Sequence, residues 1–250
     1  MRGRARRYPA RPWRHMARRA GLALGLCAAF LAGPVAAEIQ SARFADPTTR
    51  YAHGVFGDPE EWGALRMRLS DGRKLIVRLP ENRVFEDLSP RLIDVDGDGD
   101  AEVVVVETDI ARGAALAIYD ETGKVAQTPH IGRTHRWLAP LGGADLDGDG
   151  FVELAYIDRP HLARTLRVWR FRDGGLSEVA ALKGLTNHLL GDPGIGGGIR
   201  DCGRGPEIVT ADADWHRVMA VRLENGRLYG REIGRFEGPE SFDRALNCRD

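Results

Sequence analysis

Short segments with the hydrophobic pattern of β-strands follow one another along most of the chain. In one kind, apolar and polar residues alternate, as where Leu65, Met67 and Leu69 are separated by arginines, which is typical of a strand with one buried face. In the other, β-branched residues form an unbroken run, as at residues 103–106, which is typical of a strand buried on both faces. We predict strands at residues 51–56, 65–69, 74–79, 91–93, 102–107, 114–119, 124–127, 141–144, 153–157, 165–171, 176–182, 207–211, 218–223 and 228–233.

The pattern is less decisive near the start of this series. Residues 60–69 also fit a helix, because Glu, Ala, Leu and Arg favour helices. Residues 38–49 are polar and show little periodicity, so we predict an irregular segment there. From residue 90 onward the predicted strands fall into units of about 50 residues with four strands each, which is typical of a repeated four-stranded module.

A nine-residue acidic pattern occurs at the same place in two of these units. It begins at Asp94 and again at Asp145, with carboxylates at positions 1, 3, 5 and 9 and glycines at positions 4 and 6. Carboxylates this close repel one another unless a hard cation lies among them, and calcium accepts six to eight oxygens. A solvated acidic turn is the alternative. The predicted ligands of two Ca²⁺ ions, counting the carbonyls of Asp100 and Phe151 at position 7, are Asp94, Asp96, Asp98, Asp100, Glu102, Asp145, Asp147, Asp149, Phe151 and Glu153.

These loops differ from an EF-hand. An EF-hand needs a bidentate Glu at position 12, where this chain has Val105 and Tyr156. The residues that follow each loop also read as strands. A loop with these ligands that leads directly into a strand resembles the FG-GAP (VCBS, integrin α-like) repeat. The resemblance implies the blade unit of a calcium-stabilised β-propeller.

A third copy of the pattern is degenerate. Aligning residues 207–209 with 153–155 places Ile199, Asp201, Gly203 and Glu207 at positions 1, 3, 5 and 9, so we expect no calcium there. The next copy would fall at the C-terminus, and we predict that residues 242–248 form a strand completing the first unit. The predicted fold is therefore all-β, a β-propeller of about four four-stranded blades whose ring is closed by N- and C-terminal strands. A fifth blade or an open array is the alternative.

Residues 1–37 have the composition of a secretory signal peptide. Eight arginines and no acidic residues accompany a short apolar run, and small residues precede Glu38, which predicts cleavage after Ala37. Met1 and Met16 are alternative start sites. Removing the leader leaves 28 basic against 36 acidic residues, a net charge near −8. Such a chain is a poor candidate for nucleic-acid binding. We predict a periplasmic or secreted domain over residues 38–250, without a membrane span.

Two cysteines, Cys202 and Cys248, remain after removal of the leader. An even count in an exported chain predicts one disulfide. Two buried free thiols are the alternative.

Polar and aromatic residues recur in the connections at the ends of strands away from the acidic loops. If the units are blades, these connections meet on one face and form a site for a protein or glycan. Tryptophans wedged between blades and solvated polar turns are the alternative. The candidate ligand face consists of Trp62, His135, Trp137, Asp158, His161, His188, Asp214 and Trp215.

No short catalytic motif is present, so we assign no catalytic residue. We predict an exported calcium-binding β-propeller that acts as a non-catalytic binding or scaffold module. The alternative is a propeller-type hydrolase or lyase that uses calcium or the His and Asp residues of the ligand face.

Overall fold

A computed structural model describes residues 37–249, which form three antiparallel sheets and one short helix. The predicted signal peptide lies outside the described residues, apart from Ala37. The strands are β1 (Ile39–Thr48), β2 (Glu61–Leu69), β3 (Lys74–Arg78), β4 (Arg83–Phe85), β5 (Arg91–Ile93), β6 (Glu102–Asp109), β7 (Gly113–Asp120), β8 (Gly123–Gln127), β9 (Leu138–Ala144), β10 (Glu153–Asp158), β11 (Thr165–Arg172), β12 (Gly175–Lys183), β13 (Leu185–Thr186), β14 (Gly198–Asp201), β15 (Pro206–Asp212), β16 (Arg217–Glu224) and β17 (Arg227–Arg235), and the helix is α1 (Glu240–Leu246).

The same four-stranded meander occurs three times. Strands β9 to β12 form one complete sheet in sequence order, β5 to β8 form one part of the eight-stranded sheet, and β14 to β17 form most of the five-stranded sheet. The short strands β4 and β13 pair with the far ends of β6 and β15, whereas β9 alone spans the full length of β10. In chain order, we call β5 to β8 the second unit, β9 to β12 the third unit and β14 to β17 the fourth unit.

The first unit consists of only three strands, β1 to β3. Strand β4 joins it to the second unit, because all three residues of β4 pair with β6 and Phe85 also pairs with Trp62 of β2. The helix considered for residues 60–69 does not form, because β2 occupies residues 61–69. The predicted irregular segment 38–49 is wrong, because β1 occupies residues 39–48. The strand shows no clear alternation, since its buried residues Phe44 and Ala45 are adjacent. The predicted strand 51–56 is also wrong, since these residues form bends and turns.

Alternate residues of the central strands pack against opposite neighbours. Val103 and Val105 of β6 face a core shared with β1 and β2, while Val104 and Val106 face a core shared with the third unit. A further core joins the third and fourth units. The units are therefore stacked in chain order through apolar faces, which explains why their central strands read as unbroken apolar runs.

The predicted closing strand at residues 242–248 is wrong. Residues Glu240–Leu246 form α1, and Phe242 and Ala245 pack on Val209 and Val218 of the fourth unit. Phe242, Ala245 and Leu246 have the spacing of one helix face, which counting the repeat onward did not consider. The helix thus covers the outer face of the fourth unit.

The structure contains the predicted disulfide between Cys202 and Cys248, whose Cα atoms are 5.8 Å apart. It connects the chain just after α1 to the loop between β14 and β15. Among residues 37–249, no helix is long and apolar enough to cross a membrane.

Candidate calcium loops and a histidine-lined pocket

The two acidic loops close the same end of equivalent hairpins. The first spans the pair Ile93 and Glu102 at the ends of β5 and β6, and the second spans Ala144 and Glu153 at the ends of β9 and β10. Each loop is thus anchored by two strands of a packed sheet. A site built on such strands holds its ligands in a fixed arrangement.

Backbone hydrogen bonds fold both loops in the same way. In the first, Asp94 accepts hydrogen bonds from the amides of Gly97 and Gly99 at 2.7 and 3.1 Å, and Glu102 accepts one from Val95 at 2.8 Å. The equivalent bonds of the second loop run to Asp145 and Glu153 at 2.8 to 2.9 Å. Gly97 has a φ of 78°, a backbone conformation that glycine adopts without strain.

Three carboxylates converge in each loop. One oxygen each of Asp94, Asp96 and Glu102 lie within 4.8 Å of one another, and the same holds for the second loop with Asp145, Asp147 and Glu153. The position-5 residues do not join these groups. Instead, Asp98 and Asp149 accept hydrogen bonds from the amides two residues further on. The structure thus brings together three of the four predicted side-chain ligands of each loop.

The chemistry of both groups fits a hard cation, because every donor is an oxygen. Burial raises the pKa of Glu102 to about 7, and the negative charges of Asp96, Asp98 and Asp94 add to this shift. In the second loop, Asp147 Oδ1 is a buried acceptor without a hydrogen-bond partner among the described residues. Both observations identify negative charge or acceptor capacity that a calcium ion would satisfy.

A positive side chain from the neighbouring strand β11 lies against the second loop. Arg170 of β11 lies opposite Glu153 and donates hydrogen bonds to it at 2.5 Å and to Asp147 at 2.7 Å; it also pairs with Asp149 at 2.7 Å. Burial raises the pKa of Glu153, although the contact with Arg170 opposes the shift. The two loops, which look equivalent in the sequence, therefore have different electrostatic surroundings.

The degenerate loop of the fourth unit is shorter than the other two. Arg200 pairs with Glu207 across the hairpin. Asp201 accepts amide hydrogen bonds from Gly203 and Gly205 at 2.7 and 3.1 Å, as Asp94 does in the first loop. The alignment that gave position 1 to Ile199 is therefore wrong, and Asp201 has that role.

A pocket of about 260 Å³ lies at the opposite ends of the same strands. The register of β9 and β10 shows this, since Leu138 pairs with Asp158 at one end and Ala144 with Glu153 at the other. The connection after β1, the turn after β10 and the links before β9 and β14 all contribute residues. The pocket is lined by His53, Val55, His135, Arg136, Trp137, Arg159, Pro160, His161, Leu162 and Leu190.

A histidine that the sequence did not single out forms part of this lining. His53 Nδ1 contacts the carboxylate of Glu86, which is fully buried and accepts a second hydrogen bond from Thr108 at 2.6 Å. The His53 ring lies 5.0 Å from that of His135, which stacks on Tyr51 at 5.2 Å. Since 33 residues separate His53 from Glu86, no local motif indicates the pair.

Two further histidines form a chain of hydrogen bonds beside the pocket. His188 Nε2 lies 3.1 Å from the carbonyl of Asp192, and His188 Nδ1 lies 3.0 Å from His161 Nε2. A carbonyl only accepts, so His188 Nε2 donates; its Nδ1 then accepts from His161, which leaves His161 Nδ1 as an acceptor. Burial lowers the pKa of both histidines, in agreement with this neutral arrangement.

The predicted ligand face is only partly assembled. His135 and His161 line the pocket, and Trp137 closes its floor with its Nε1 donating to the Glu86 carbonyl at 2.8 Å. His188 lies behind the floor, with its ring 5.0 Å from Trp137.

The other four predicted residues lie outside the pocket lining. Asp158 is buried in ion pairs with Arg159 and Arg167, and Asp214 is exposed in a turn. Trp62 packs on Phe44, and Trp215 on Phe236 and Phe242. Both tryptophans are partly buried beside an apolar cluster, and Trp215 lies on the outer face of the fourth unit and not between two units.

Comparison with protein families identifies the repeat. Residues 94–156 match the family model described as FG-GAP-like repeat. No curated protein matches the chain. The matched segment begins at the first residue of the first loop and includes the whole second loop. This confirms the resemblance to the FG-GAP/VCBS repeat over that segment, and the repeat indicates a β-propeller-like binding module.

Proposed function

We propose that this protein is an exported, calcium-binding, β-propeller-like module of four units that binds a protein partner at the end opposite its calcium loops. The observation that carries the proposal is the pair of loops that hold three converging carboxylates on equivalent hairpins. Calcium would be held by Asp94, Asp96 and Glu102 in the first loop and would neutralise their charge. Because the ion binds only the folded loop, it adds to the stability of the fold.

Export is supported by the disulfide between Cys202 and Cys248, since such bonds persist in oxidising compartments. The N-terminal sequence pattern agrees with this. The four-unit arrangement is supported by three repeated meanders and a shorter first unit that pack in chain order.

The histidine-lined pocket is the proposed contact site. Its rim carries exposed leucines, Leu162 at 63% and Leu190 at 70% exposure, which is unusual for large apolar side chains. A glycan site would instead offer an open aromatic ring, but Trp137 is only 3% exposed. The rim therefore favours an apolar segment of a protein over a sugar. Arg136 at the pocket adds a positive charge that suits an acidic residue in the same segment.

A capture experiment tests this proposal. Immobilised protein is incubated in calcium buffer with an extract of the exported proteins of its native host, and bound proteins are identified by mass spectrometry. We expect a partner that binds the wild type and is lost when Leu162→Asp and Leu190→Asp are combined. The matched control is Leu88→Asp, an exposed leucine outside the pocket lining, which should retain the partner. A partner retained equally by all three proteins would contradict the proposed site.

The His53 and Glu86 pair favours a second candidate function, acid–base catalysis. A buried carboxylate that holds one imidazole nitrogen leaves the other, Nε2, able to exchange a proton with a bound molecule. His161 Nδ1 offers a second acceptor. This pair supports the hydrolase or lyase alternative, with the pocket as the active site in place of the calcium loops.

A substrate screen distinguishes the two functions. If the pocket is catalytic, a hydrolase or lyase activity should be found in the wild type and lost in His53→Asn and in His161→Ala, while circular dichroism shows that both variants fold. A screen in which the variants keep the activity of the wild type would rule out catalysis by these histidines.

A further inference from the structure

The residue that faces the ninth-position glutamate differs between the calcium loops. In the second loop, Glu153 pairs across the sheet with Arg170. In the first loop, the register of β6 and β7 places Asp120 beside Glu102. Directly opposed side chains on neighbouring strands interact strongly, and opposite charges there are stabilising. The two loops therefore meet opposite charges at the same structural position.

Arg170 of β11 contacts carboxylate oxygens of the second loop that a calcium ion would otherwise bind. Its three guanidinium nitrogens contact Glu153, Asp147 and Asp149, and two of these three residues belong to the converging group. Hydrogen bonds between guanidinium and carboxylate groups are among the strongest in proteins. A calcium ion entering this loop has to displace them, so its net binding free energy is smaller than at a loop without the arginine.

The first loop has no such internal cation. The carboxylate of Asp120 is turned into its own hairpin, where it accepts hydrogen bonds from the amides of Thr122 and Gly123 at 2.7 and 2.9 Å. Within residues 37–249, no lysine or arginine forms an ion pair with a carboxylate of this loop. Its three converging carboxylates are balanced only by backbone amides.

In the fourth unit, more arginines surround the equivalent glutamate than in either acidic loop. The equivalent glutamate, Glu207, pairs with Arg200 at 2.7 Å, with Arg231 at 2.9 Å and with Arg222 at 3.3 Å. Arg222 is the residue that faces it across the sheet, since the flanking pair is Ile208 and Val221. In this loop, which has lost two carboxylates, three arginines thus surround the remaining glutamate. Among the residues that the structure describes, the ninth-position glutamate thus pairs with no arginine in the second unit, with one in the third unit and with three in the fourth unit.

We infer that the residue facing the ninth-position glutamate decides how strongly a loop binds calcium, so that the first loop is the high-affinity site and Arg170 acts as a built-in cation in the second. The inference rests on the proposed calcium binding. It departs from the expectation of two equivalent ions. The affinity of the second loop should be at least about tenfold lower, which corresponds to about 1.4 kcal/mol.

Isothermal titration of the purified full chain with CaCl₂, after removal of metal by a chelating resin, tests this assignment. We expect one strong site in the wild type. Asp96→Asn should abolish it, and Asp147→Asn should leave it unchanged. Arg170→Leu should convert the second loop into a strong site and raise the stoichiometry from about one to about two. Arg217→Leu, which removes an exposed arginine that pairs with Glu232 in the fourth unit and lies outside both acidic loops, is the control and should leave the stoichiometry at one.

The outcomes separate this inference from the calcium proposal itself. Two strong sites of equal affinity in the wild type would overturn the inference while calcium binding stands. Loss of the strong site in Asp147→Asn rather than in Asp96→Asn would also overturn it. No heat of binding in any variant would refute calcium binding and the inference together. The two aspartate variants decide the question even if Arg170→Leu does not fold.

Discussion

The buried side chain of Glu61 near Glu86 gives a prediction whose size can be worked out from the structure. Glu61 is the first residue of β2 and is 3% exposed. Burial raises its pKa from 4.5 to about 9, and the nearby charges of Glu86, Asp58 and Asp87 contribute to the shift. The folded protein therefore keeps a proton on Glu61 at neutral pH, whereas the unfolded chain releases it.

The sign and size of the effect follow from proton linkage. Between about pH 4.5 and pH 9 the folded state binds more protons than the unfolded state at this position, so the unfolding free energy falls as pH rises through this window. Each unit of pH corresponds to about 1.4 kcal/mol, which gives about 3 kcal/mol at pH 7. Glutamine has nearly the shape of the protonated acid and no charge to lose. Glu61→Gln should therefore stabilise the fold by about 3 kcal/mol at pH 7 and leave it unchanged at pH 4.

Urea denaturation in calcium buffer at pH 4 and pH 7 measures this difference. Glu60→Gln, a change at the exposed neighbouring residue, is the control and should have little effect at either pH. An equal effect of Glu61→Gln at both pH values, or destabilisation at pH 7, would refute the claim that Glu61 is buried as a neutral acid.

Three further perturbations test other parts of the fold. Burial lowers the pKa of His188, so as pH drops from 7 to 5 the unfolded state binds a proton at this histidine more readily than the folded state, and the unfolding free energy should fall. His188→Asn should reduce this dependence of the unfolding free energy on pH, measured by urea denaturation. Cys202→Ser should cost about 4 kcal/mol in the same assay, as expected for a cross-link over 46 residues, and reduced wild type should match it. Gly113→Ala, whose Cβ would lie 2.3 Å from the carbonyl of Arg133, should destabilise more than Gly72→Ala, which has a similar φ but open space; equal melting temperatures would contradict the close packing.

The parts of the fold that local sequence encodes could be predicted. The acidic loops depend on residues within nine positions of one another, so the three carboxylates that converge in each loop and the strands beside them follow from spacing alone. The all-β class is confirmed for the same reason, since alternation and turn residues are local signals. The disulfide could be predicted because two cysteines are left once the predicted leader is set aside.

The sequence prediction is wrong for two elements, for different reasons. The strand at 242–248 was inferred from the period of the repeat alone, although Phe242, Ala245 and Leu246 have the spacing of one helix face. Strand β1 shows no clear alternation, because its buried residues Phe44 and Ala45 are adjacent. Its pairing with β2 is a contact between segments that the local pattern does not indicate.

The candidate site shows the same division. His53 meets Glu86 across 33 residues, and Arg170 meets Glu153 across 17. Only the Arg170 contact had a usable signal, because the hairpin of β10 and β11 fixes which residue faces Glu153 once its turn is known. Sequence alone treats the two acidic loops as equal, since the difference between them lies on the neighbouring strand.

Thermal unfolding with and without calcium tests the central claim most directly. Full chain freed of metal with EGTA should melt at a lower temperature than the same protein with calcium at about 100 times its dissociation constant, since that excess adds about 2.7 kcal/mol. For a domain of this size the shift is about 5 to 10 °C. Combining Asp96→Asn with Asp147→Asn should remove the response to calcium. Identical melting curves for the wild type in EGTA and in calcium would contradict the account.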